Sequence, residues 1–374
     1  MQFRNLKRQY EALKESIDAE ISEVIETTSF ISGAKVQELE LQLANYVGVK
    51  HCITCANGTD ALSLALMAWG IGPGDCVFVP DFTFFASAEV IAFSGATPIF
   101  VDVDLKTCNI DAEKLEVAIK KIKAEGGLNP KAIITVDLFG LPADYDVICP
   151  IASKYGLKIL EDSAQGFGGA INGKRACSFG DIATTSFFPA KPLGCYGDGG
   201  AIFTNDDAIA EYLRSICVHG KGNCKYDNVR IGVNSRLDTL QAGILIPKLK
   251  AFIEYEVTAI NTIAQKYTTA LKDVVMTPGF DDKYYSSWAQ YCIRLKDSEQ
   301  RSGLQKYLKE KDIPTMVYYP KPLHQQEAFR SMHLEDKYPN TEKLCETILA
   351  LPIDPYLTDE EIDYVTQAII QYIQ

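Results

Sequence analysis

The chain has 374 residues, of which 47% are hydrophobic and 23% charged, a balance typical of a globular protein large enough for two domains. Its net charge of −12 argues against nucleic acid or an anionic membrane as the main partner. An anionic substrate would therefore need a local positive site.

Apolar runs and cysteines suggest the compartment. No run is long enough to span a bilayer, and Met1–Lys7 carries no apolar signal core, so we expect a cytoplasmic protein without a membrane partner. The eleven cysteines are scattered and odd in number, which favours reduced thiols. Cys52 and Cys55 have C-x-x-C spacing, but their apolar surroundings predict buried strand residues instead of a redox or metal pair. Four histidines without metal-ligand spacing predict no metal site.

Short β-rich runs alternate with helical patterns between residues 50 and 205. The predicted strands are Cys52–Cys55, Cys76–Pro80, Pro98–Val103, Ala132–Asp137, Leu157–Glu161, Ala183–Phe187 and Ala201–Thr204. Helices are predicted at Asp60–Trp69, Ala86–Phe93, Ala112–Lys123 and Asp146–Tyr155. This alternation predicts an α/β fold with a mostly parallel sheet, in which ligands bind at the carboxyl ends of the strands.

A long helix is expected to lead into a smaller C-terminal α/β domain. It is predicted over Leu237–Leu271, with a kink at Pro247. Further predicted elements are the strands Trp288–Leu295 and Thr315–Tyr319 and the helices Ser302–Lys311, Thr341–Ala350 and Asp359–Ile373, the last with a capping box formed by Thr358 and Glu361. We divide the chain into 1–245, an N-terminal segment with the large domain, and 246–374, the smaller domain.

An aspartate and a lysine form the most informative pair of residues. Asp162 ends an apolar strand-like run, and Lys191 lies on a loop after a later strand. An enzyme that uses pyridoxal phosphate (PLP) requires this pattern. The lysine forms a Schiff base with the aldehyde of the cofactor, and the carboxylate keeps the pyridine nitrogen protonated. One such pair could arise by chance, so the other requirements of the cofactor decide.

Other residues offer the remaining parts of a PLP site, each with an ordinary alternative. Gly58 and Thr59 open a helix whose backbone N–H groups suit a phosphate, although a plain strand-to-helix turn has the same pattern. Ser186 adds a hydroxyl near Lys191, or is only a strand-end serine. Gln165 is placed to bond the ring oxygen. Pro80–Phe85 offers three aromatic rings for the pyridine face, with core packing as the alternative for each.

Together these residues resemble the DegT/StrS family of PLP-dependent sugar aminotransferases, which have the aspartate aminotransferase fold, type I. The resemblance runs from F-R-N-L-K-R-Q-Y to L-P-I-D-P-Y-L and is strongest in A-N-G-T-D-A-L, P-D-F-T-F-F-A-S-A, E-D-S-A-Q, T-S-F-F-P-A-K-P-L-G-C-Y-G-D-G-G-A-I-F-T-N-D and G-V-N-S-R-L-D-T-L-Q-A. It implies a large domain with a mostly parallel seven-stranded sheet and a smaller C-terminal α/β domain.

The resemblance also implies roles for single residues. Lys191 is then the Schiff-base lysine and Asp162 the partner of the pyridine nitrogen. Gln165 faces the ring hydroxyl and Phe84 stacks on the ring. The phosphate-binding positions are Gly58, Thr59, Ser186 and Asn234. Asn234 matches a residue that reaches the phosphate of the neighbouring subunit, which implies a homodimer with shared active sites.

Within the family, the chain most resembles UDP-2-acetamido-2-deoxy-3-oxo-glucuronate aminotransferases of bacterial surface-polysaccharide pathways. Arg236 then matches the arginine that binds the sugar carboxylate, with an interface ion pair as the alternative. Arg4, Tyr319 and His324 are further candidate sugar contacts. The chain departs from the V-H-Y-P pattern of similar enzymes by carrying tyrosine at 318.

The implied reaction moves an amino group from glutamate to a nucleotide keto-sugar. A 4-keto-6-deoxy sugar is the alternative acceptor, and the sequence leaves open whether carbon 3 or carbon 4 is aminated. Related sugar 3-dehydratases carry histidine where Lys191 stands. A regulatory relative would be expected to lose Lys191 or Asp162, and this chain retains both. A binding protein without cofactor would have to match every site by coincidence.

Overall fold

The computed structural model describes residues 1–224, 226–332 and 337–374. Its helices are α1 Leu6–Thr27, α2 Ala34–Val47, α3 Gly58–Ala68, α4 Ala86–Phe93, α5 Ala112–Glu125, α6 Tyr145–Tyr155, α7 Asp207–Ile216, α8 Thr239–Ala251, α9 Val257–Leu271, α10 Ser298–Glu310, α11 Pro339–Thr347 and α12 Asp359–Ile373. Its strands are β1 His51–Cys55, β2 Asp75–Pro80, β3 Thr97–Val101, β4 Asn129–Val136, β5 Lys158–Asp162, β6 Ala170–Ile171, β7 Lys174–Arg175, β8 Ile182–Ser186, β9 Gly200–Thr204, β10 Tyr284–Tyr285, β11 Tyr291–Arg294 and β12 Ile348–Leu351.

The main sheet has seven strands in the order β1-β9-β8-β5-β4-β2-β3. The pairs from β8 to β3 are parallel, and β9 runs antiparallel to both β1 and β8. The strands are hydrophobic on both faces because helices cover both. Val77 and Val79 pack in the same cluster as α3 and α4, whereas the intervening Phe78 packs with α5 and α6. The predicted α/β fold with a mostly parallel seven-stranded sheet is confirmed.

The sheet places two predicted site residues side by side. Asp162 is the last residue of β5 and Ser186 the last of β8, and these neighbouring strands are parallel, with Asp162 opposite Thr184. Their carboxyl ends therefore meet at one edge. The cysteines of β1 are buried free thiols, as predicted for Cys52 and Cys55. Within the described residues, no helix has the length and apolar character that crossing a membrane requires.

The predicted long helix exists as a continuous helical run. Helix α8 contains Pro247, and the π-helical turn Phe252–Glu256 joins it to α9. Side chains up to Val257 pack in a cluster with α2, and those from Ile260 onward pack with the C-terminal elements. The division near residue 245 stays a prediction.

Two predictions in the C-terminal part are wrong, and one is confirmed. The predicted helix Thr341–Ala350 ends at Thr347, because the following residues form β12 and pair antiparallel with β11. The predicted strand Thr315–Tyr319 is only an isolated bridge between Met316 and Ala350. Helix α12 begins with the predicted capping box of Thr358 and Glu361.

Candidate active site

Asp162 is a buried carboxylate, only 5% exposed, at the end of β5. Ser87 Oγ donates a 2.8 Å hydrogen bond to its Oδ2, and the backbone N–H of Ala164 donates a 3.2 Å bond to its Oδ1. Burial raises the pKa of Asp162, while these two donors and the positive charge of Lys191 act to lower it. A cation placed against this carboxylate would offset the cost of its burial.

Lys191 lies on the loop between β8 and β9 and is half-buried. Its backbone N–H donates a 2.8 Å hydrogen bond to the carbonyl oxygen of Phe188, which holds the loop in a tight turn. Burial lowers the pKa of Lys191, the negative charge of Asp162 opposes this, and the positive charge of Arg4 lowers the pKa further. A lowered pKa increases the fraction of neutral amine, the form that attacks an aldehyde.

Gly58 and Ser186 are brought together at the start of α3. A Cβ on Gly58 would lie 2.7 Å from the Cβ of Ser186, so glycine is required for this close approach. Asn57 caps the helix by accepting a 2.8 Å hydrogen bond from the backbone N–H of Asp60. The Ser186 hydroxyl, which accepts a 3.2 Å bond from the backbone N–H of Phe188, therefore lies beside the first turn of α3, whose second residue is Thr59. First-turn N–H groups lack partners within the helix and suit a phosphate, so we call Gly58, Thr59 and Ser186 the α3 cradle.

Tyr319 contacts both Phe84 and Gln165. The ring of Phe84 is 54% exposed and lies 6.4 Å from the ring of Tyr319. Gln165 Nε2 donates a 3.0 Å hydrogen bond to the Tyr319 hydroxyl, and Gln165 Oε1 accepts a 2.8 Å bond from the backbone N–H of Phe139. An amide nitrogen carries two hydrogens, so Gln165 keeps one for a further acceptor. Burial raises the pKa of Tyr319.

Asn234 and Arg236 flank Ser235, whose Oγ accepts a 3.0 Å hydrogen bond from the backbone N–H of Ala56, just before α3. Asn234 is exposed, and Arg236 lines an open groove of about 940 Å³ formed by residues within 218–221 and 226–232. Within the described part of the chain, no hydrogen bond, ion pair or shared cavity joins either residue to Lys191. Their roles in cofactor and sugar binding stay predictions.

His324 is held by an acid that the sequence did not single out. Its Nδ1 lies 2.7 Å from Asp81 Oδ2, and its backbone N–H donates a 2.8 Å bond to Asp81 Oδ1. Its Nε2 lies 3.8 Å from Glu342 Oε1. Burial raises the pKa of Asp81, and the His324 hydrogen bond opposes that rise. The imidazole orientation is therefore fixed before any ligand binds.

Two further buried acids lie beneath the turn that follows Asp162. Ser163 Oγ contacts both Asp137 Oδ2 and, at 2.8 Å, Glu161 Oε1. A hydroxyl has one hydrogen, so one of the two carboxyl groups must itself carry a proton to make both bonds. Burial raises the pKa of both carboxyls, and for Asp137 the negative charge of Glu161 adds to the rise. This network fixes the turn between Asp162 and Gln165.

Sequence reasoning also missed Ser87, Ser235 and Lys248. Ser87 bonds Asp162, and Ser235 Oγ donates a 2.6 Å bond to Asp60 Oδ2 in the first turn of α3. Lys248 is buried in α8, and burial lowers its pKa to about 8. Ser87 lies inside a motif that carried the resemblance, but a serine in a helix has no local signature of such a bond.

These residues fit PLP. The aspartate offers a buried carboxylate to a pyridinium nitrogen, the lysine an amine of lowered pKa to an aldehyde, and the α3 cradle a site for a phosphate. The exposed ring of Phe84 and the unused amide hydrogen of Gln165 both lie beside Tyr319.

Comparison with known proteins gives the same result. The model of the DegT/DnrJ/EryC1/StrS aminotransferase family matches residues 11–370. The chain belongs to this family. It is 46% identical to UDP-2-acetamido-2-deoxy-3-oxo-D-glucuronate aminotransferase of Pseudomonas aeruginosa, covering 99% of both chains, and 44% identical to a pleiotropic regulatory protein of Geobacillus stearothermophilus, covering 98% of this chain and 97% of the other.

Solved structures agree with the fold and with the cofactor. A DegT DnrJ EryC1 StrS aminotransferase from Brucella abortus superposes with a TM-score of 0.97 at 48% identity, over 100% of this chain and 99% of the other. The structure of ntda from Bacillus subtilis with bound cofactor PMP matches with a TM-score of 0.88 at 32% identity, over 96% of this chain and 81% of the other. The PLP form of a putative sugar aminotransferase from Streptococcus pneumoniae matches with a TM-score of 0.89 at 25% identity, over 96% of both chains. The predicted family, type I fold, aminotransferase class and PLP cofactor are confirmed.

Proposed function

We propose that this protein transfers an amino group from glutamate to a nucleotide-linked keto-sugar, with UDP-2-acetamido-2-deoxy-3-oxo-glucuronate as the first candidate acceptor. The observation that carries the proposal is the pairing of a buried Asp162 with an amine of lowered pKa at Lys191, since a family member without catalysis has no need of either. The 46% identity to the Pseudomonas enzyme supports the acceptor.

Each residue of the pair has one task in the transfer. PLP, when bound, supplies an electron sink for the carbon that loses or gains a proton. Asp162 keeps a proton on the ring nitrogen, because its buried charge is best neutralised by a cation. Lys191 Nζ takes the proton from the reacting carbon of the donor and returns a proton to the acceptor, and its lowered pKa favours the neutral amine that the first of these steps needs.

The surrounding residues bind and orient. The first-turn N–H groups at Gly58 and Thr59, with the Ser186 hydroxyl, hold the phosphate, and Phe84 covers one face of the ring. Gln165 gives its second amide hydrogen to the ring hydroxyl. These bonds fix the reacting carbon within reach of the lysine.

For the sugar we propose contacts with Tyr319, His324 and Arg236. Tyr319 lies between Phe84 and Gln165, so its hydroxyl is placed near the reacting end of the acceptor. The planar guanidinium of Arg236 suits a uronate carboxylate. Tyr318 packs its ring 6.2 Å from that of Phe3 and 5.8 Å from that of Tyr319, so the tyrosine that replaces histidine lies against the proposed sugar contact itself.

We propose a homodimer whose subunits share active sites. Asn234 is exposed, and apolar side chains near it in sequence are exposed too, with Ile231 at 86%. Such a surface is costly in water unless another chain covers it. A partner that brings Asn234 to the α3 cradle and Arg236 to the sugar would complete each site.

The setting we propose is the cytoplasmic stage of surface-polysaccharide synthesis in bacteria. Nucleotide sugars are cytoplasmic metabolites, and all eleven cysteines are free thiols, in keeping with a reducing compartment.

A panel of nucleotide keto-sugars, tested with glutamate and the purified protein, checks this function. We expect turnover with the 3-keto uronate; preference for a 4-keto-6-deoxy sugar would move the assignment to the alternative acceptor. Lys191→Ala should lose turnover, and Asp162→Asn should bind cofactor but react slowly. Absence of turnover on every acceptor, together with no change of cofactor colour on adding glutamate, would favour a regulatory protein instead.

A further inference from the structure

The N-terminal segment that precedes α1 is docked beside the active site. The backbone N–H of Ile353 donates a 3.2 Å bond to the carbonyl oxygen of Phe3, and the backbone N–H of Asn5 donates a 3.0 Å bond to Asp354 Oδ2. These two bonds fix the backbone on either side of Arg4. The Phe3 ring contacts that of Tyr318, whose neighbour Tyr319 bonds Gln165.

Arg4 carries an unsatisfied buried donor. Its Nη1 is buried and has no hydrogen-bond partner among the described residues, although the residue as a whole is only half-buried. A buried guanidinium nitrogen without a partner is costly, because it has lost its hydrogen bonds to water. Burial lowers the pKa of Arg4, and the acids Asp354 and Glu256 act to raise it. A missing anion is the simplest explanation of such a group.

The two nearby acids do not fill this role, because both are bonded elsewhere. Asp354 accepts from the backbone N–H groups of Asn5 and, at 2.9 Å, of Tyr356. Glu256 accepts a 2.9 Å bond from Gln9 Nε2 and a 2.6 Å bond from the Tyr356 hydroxyl. Among the described residues neither acid bonds the Arg4 Nη1, so this nitrogen is left to a ligand.

The positive charge of Arg4 acts on two other cations. It lowers the pKa of Lys191 and also that of Lys248. The side chain of Lys248 lies over the Tyr196 ring, with Nζ 4.8 Å from its centroid. Three cations thus gather in a chain whose net charge is −12. An anionic group that enters here is attracted by these cations, against the repulsion from the net negative charge of the protein.

We propose that Arg4 binds the carboxylate of the amino donor beside Lys191, an inference that rests on the proposed transamination. An α-amino acid carries its carboxylate on the carbon that reacts, so the group that receives it must lie close to the lysine that serves this carbon. The carboxylate of a 3-keto uronate is further from its reacting carbon around the sugar ring. Arginine presents two parallel donors to a carboxylate.

Arg4→Gln tests this role, with Arg8→Gln as the matched control. Arg8 lies one turn further along, where its two terminal nitrogens already bond Glu361 at 2.6 and 2.9 Å. In the PLP-loaded protein, glutamate alone changes the cofactor absorbance, which gives an apparent binding constant. We expect Arg4→Gln to weaken it by about 10- to 100-fold, the usual range for a hydrogen bond to a charged group. Arg8→Gln should leave it within about twofold of wild type, since the Arg8 guanidinium is already bonded to Glu361 and to the Tyr356 carbonyl oxygen.

Two further measurements separate binding of a carboxylate from a structural effect. The α-amide of glutamate lacks the charge, so Arg4→Gln should change its constant little. The Michaelis constant for the keto-sugar should also stay the same. An unchanged constant for glutamate, an equal loss with the α-amide, or a loss confined to the keto-sugar would each overturn the proposal.

Calorimetric titration with glutarate keeps this test separate from the proposed function. Glutarate is a dicarboxylate without an amine, so its binding requires no transamination. Loss of glutarate binding in Arg4→Gln but not in Arg8→Gln supports Arg4 even if glutamate is not the natural donor. Equal glutarate binding by wild type and Arg4→Gln contradicts it, whatever the enzyme turns over.

Discussion

Replacing Gly58 with alanine perturbs the proposed phosphate cradle at one atom. The new Cβ would lie 2.7 Å from the Cβ of Ser186, closer than real side chains approach, so α3 or β8 must shift. Overpacking of this kind costs about 1–3 kcal/mol. Alanine has a higher helix propensity than glycine, which stabilises the variant by up to about 1 kcal/mol. The clash wins, and a displaced cradle should weaken PLP binding by about 1–2 kcal/mol, or about 5- to 30-fold.

The assay is a PLP titration of the apoprotein, with two companion variants. Gly243→Ala is the control, because a Cβ on this helical glycine meets nothing nearer than 3.5 Å; its PLP affinity should equal that of wild type. Ser186→Gly removes the obstructing Cβ, so Gly58→Ala should cost much less in that background than alone. Wild-type affinity for Gly58→Ala, or an equal loss in both backgrounds, would refute the clash argument.

Three more predictions concern the ring, the dimer and the buried acids. Phe84→Ala should leave thermal stability almost unchanged, since the ring is 54% exposed, yet weaken PLP binding by about two- to tenfold, which a PLP titration measures. Neither Lys191→Ala nor Asn234→Ala should be fully active alone, but a co-expressed mixed dimer should regain one intact site if sites are shared; no gain over the two separate variants argues for independent sites. Burial raises the pKa of Asp137 in the folded protein above its value in the unfolded chain. The stabilisation that comes from its bound proton is complete below the unfolded pKa and is lost as pH rises through the folded pKa. The difference in unfolding free energy between wild type and Asp137→Asn, measured by denaturant titration, should therefore decrease as pH rises above about pH 4. An increase in this difference would contradict the assignment.

The features that sequence predicts well here have local causes. The strands of the sheet are short apolar runs, and the cap of α12 is set by residues three positions apart. The predicted cofactor residues follow strand ends or begin helices, where parallel sheets bind ligands. The spacing of Asp162 and Lys191 suggested the pair, and the motifs around them carried the prediction.

The features that the sequence does not reveal depend on contacts between residues far apart in the chain. Residues 348–350 were expected to be helical, but pairing with β11 overrides that local preference. The bond between Gln165 and Tyr319 and the bond between Ser87 and Asp162 join elements far apart in the chain, so no spacing signals them. The unsatisfied Arg4 nitrogen becomes visible only when its neighbours are placed.

Helices α1 and α2 were absent from the prediction, though both are long. Their exposed faces are rich in charged residues, and only a few side chains of each are buried, such as Ile17 and Leu39. Helix α1 packs against α8 and α2 against β1 and α8. An amphipathic pattern this sparse is decided by tertiary packing more than by local propensity.

The central claim is that Lys191 holds PLP covalently while Asp162 keeps its ring charged. Borohydride reduction of the coloured protein, followed by proteolysis and mass spectrometry, tests it most directly. The account predicts a single reduced pyridoxyl adduct, on the peptide that contains Lys191. An adduct on another lysine, or a protein that takes up PLP without forming any adduct, would contradict it.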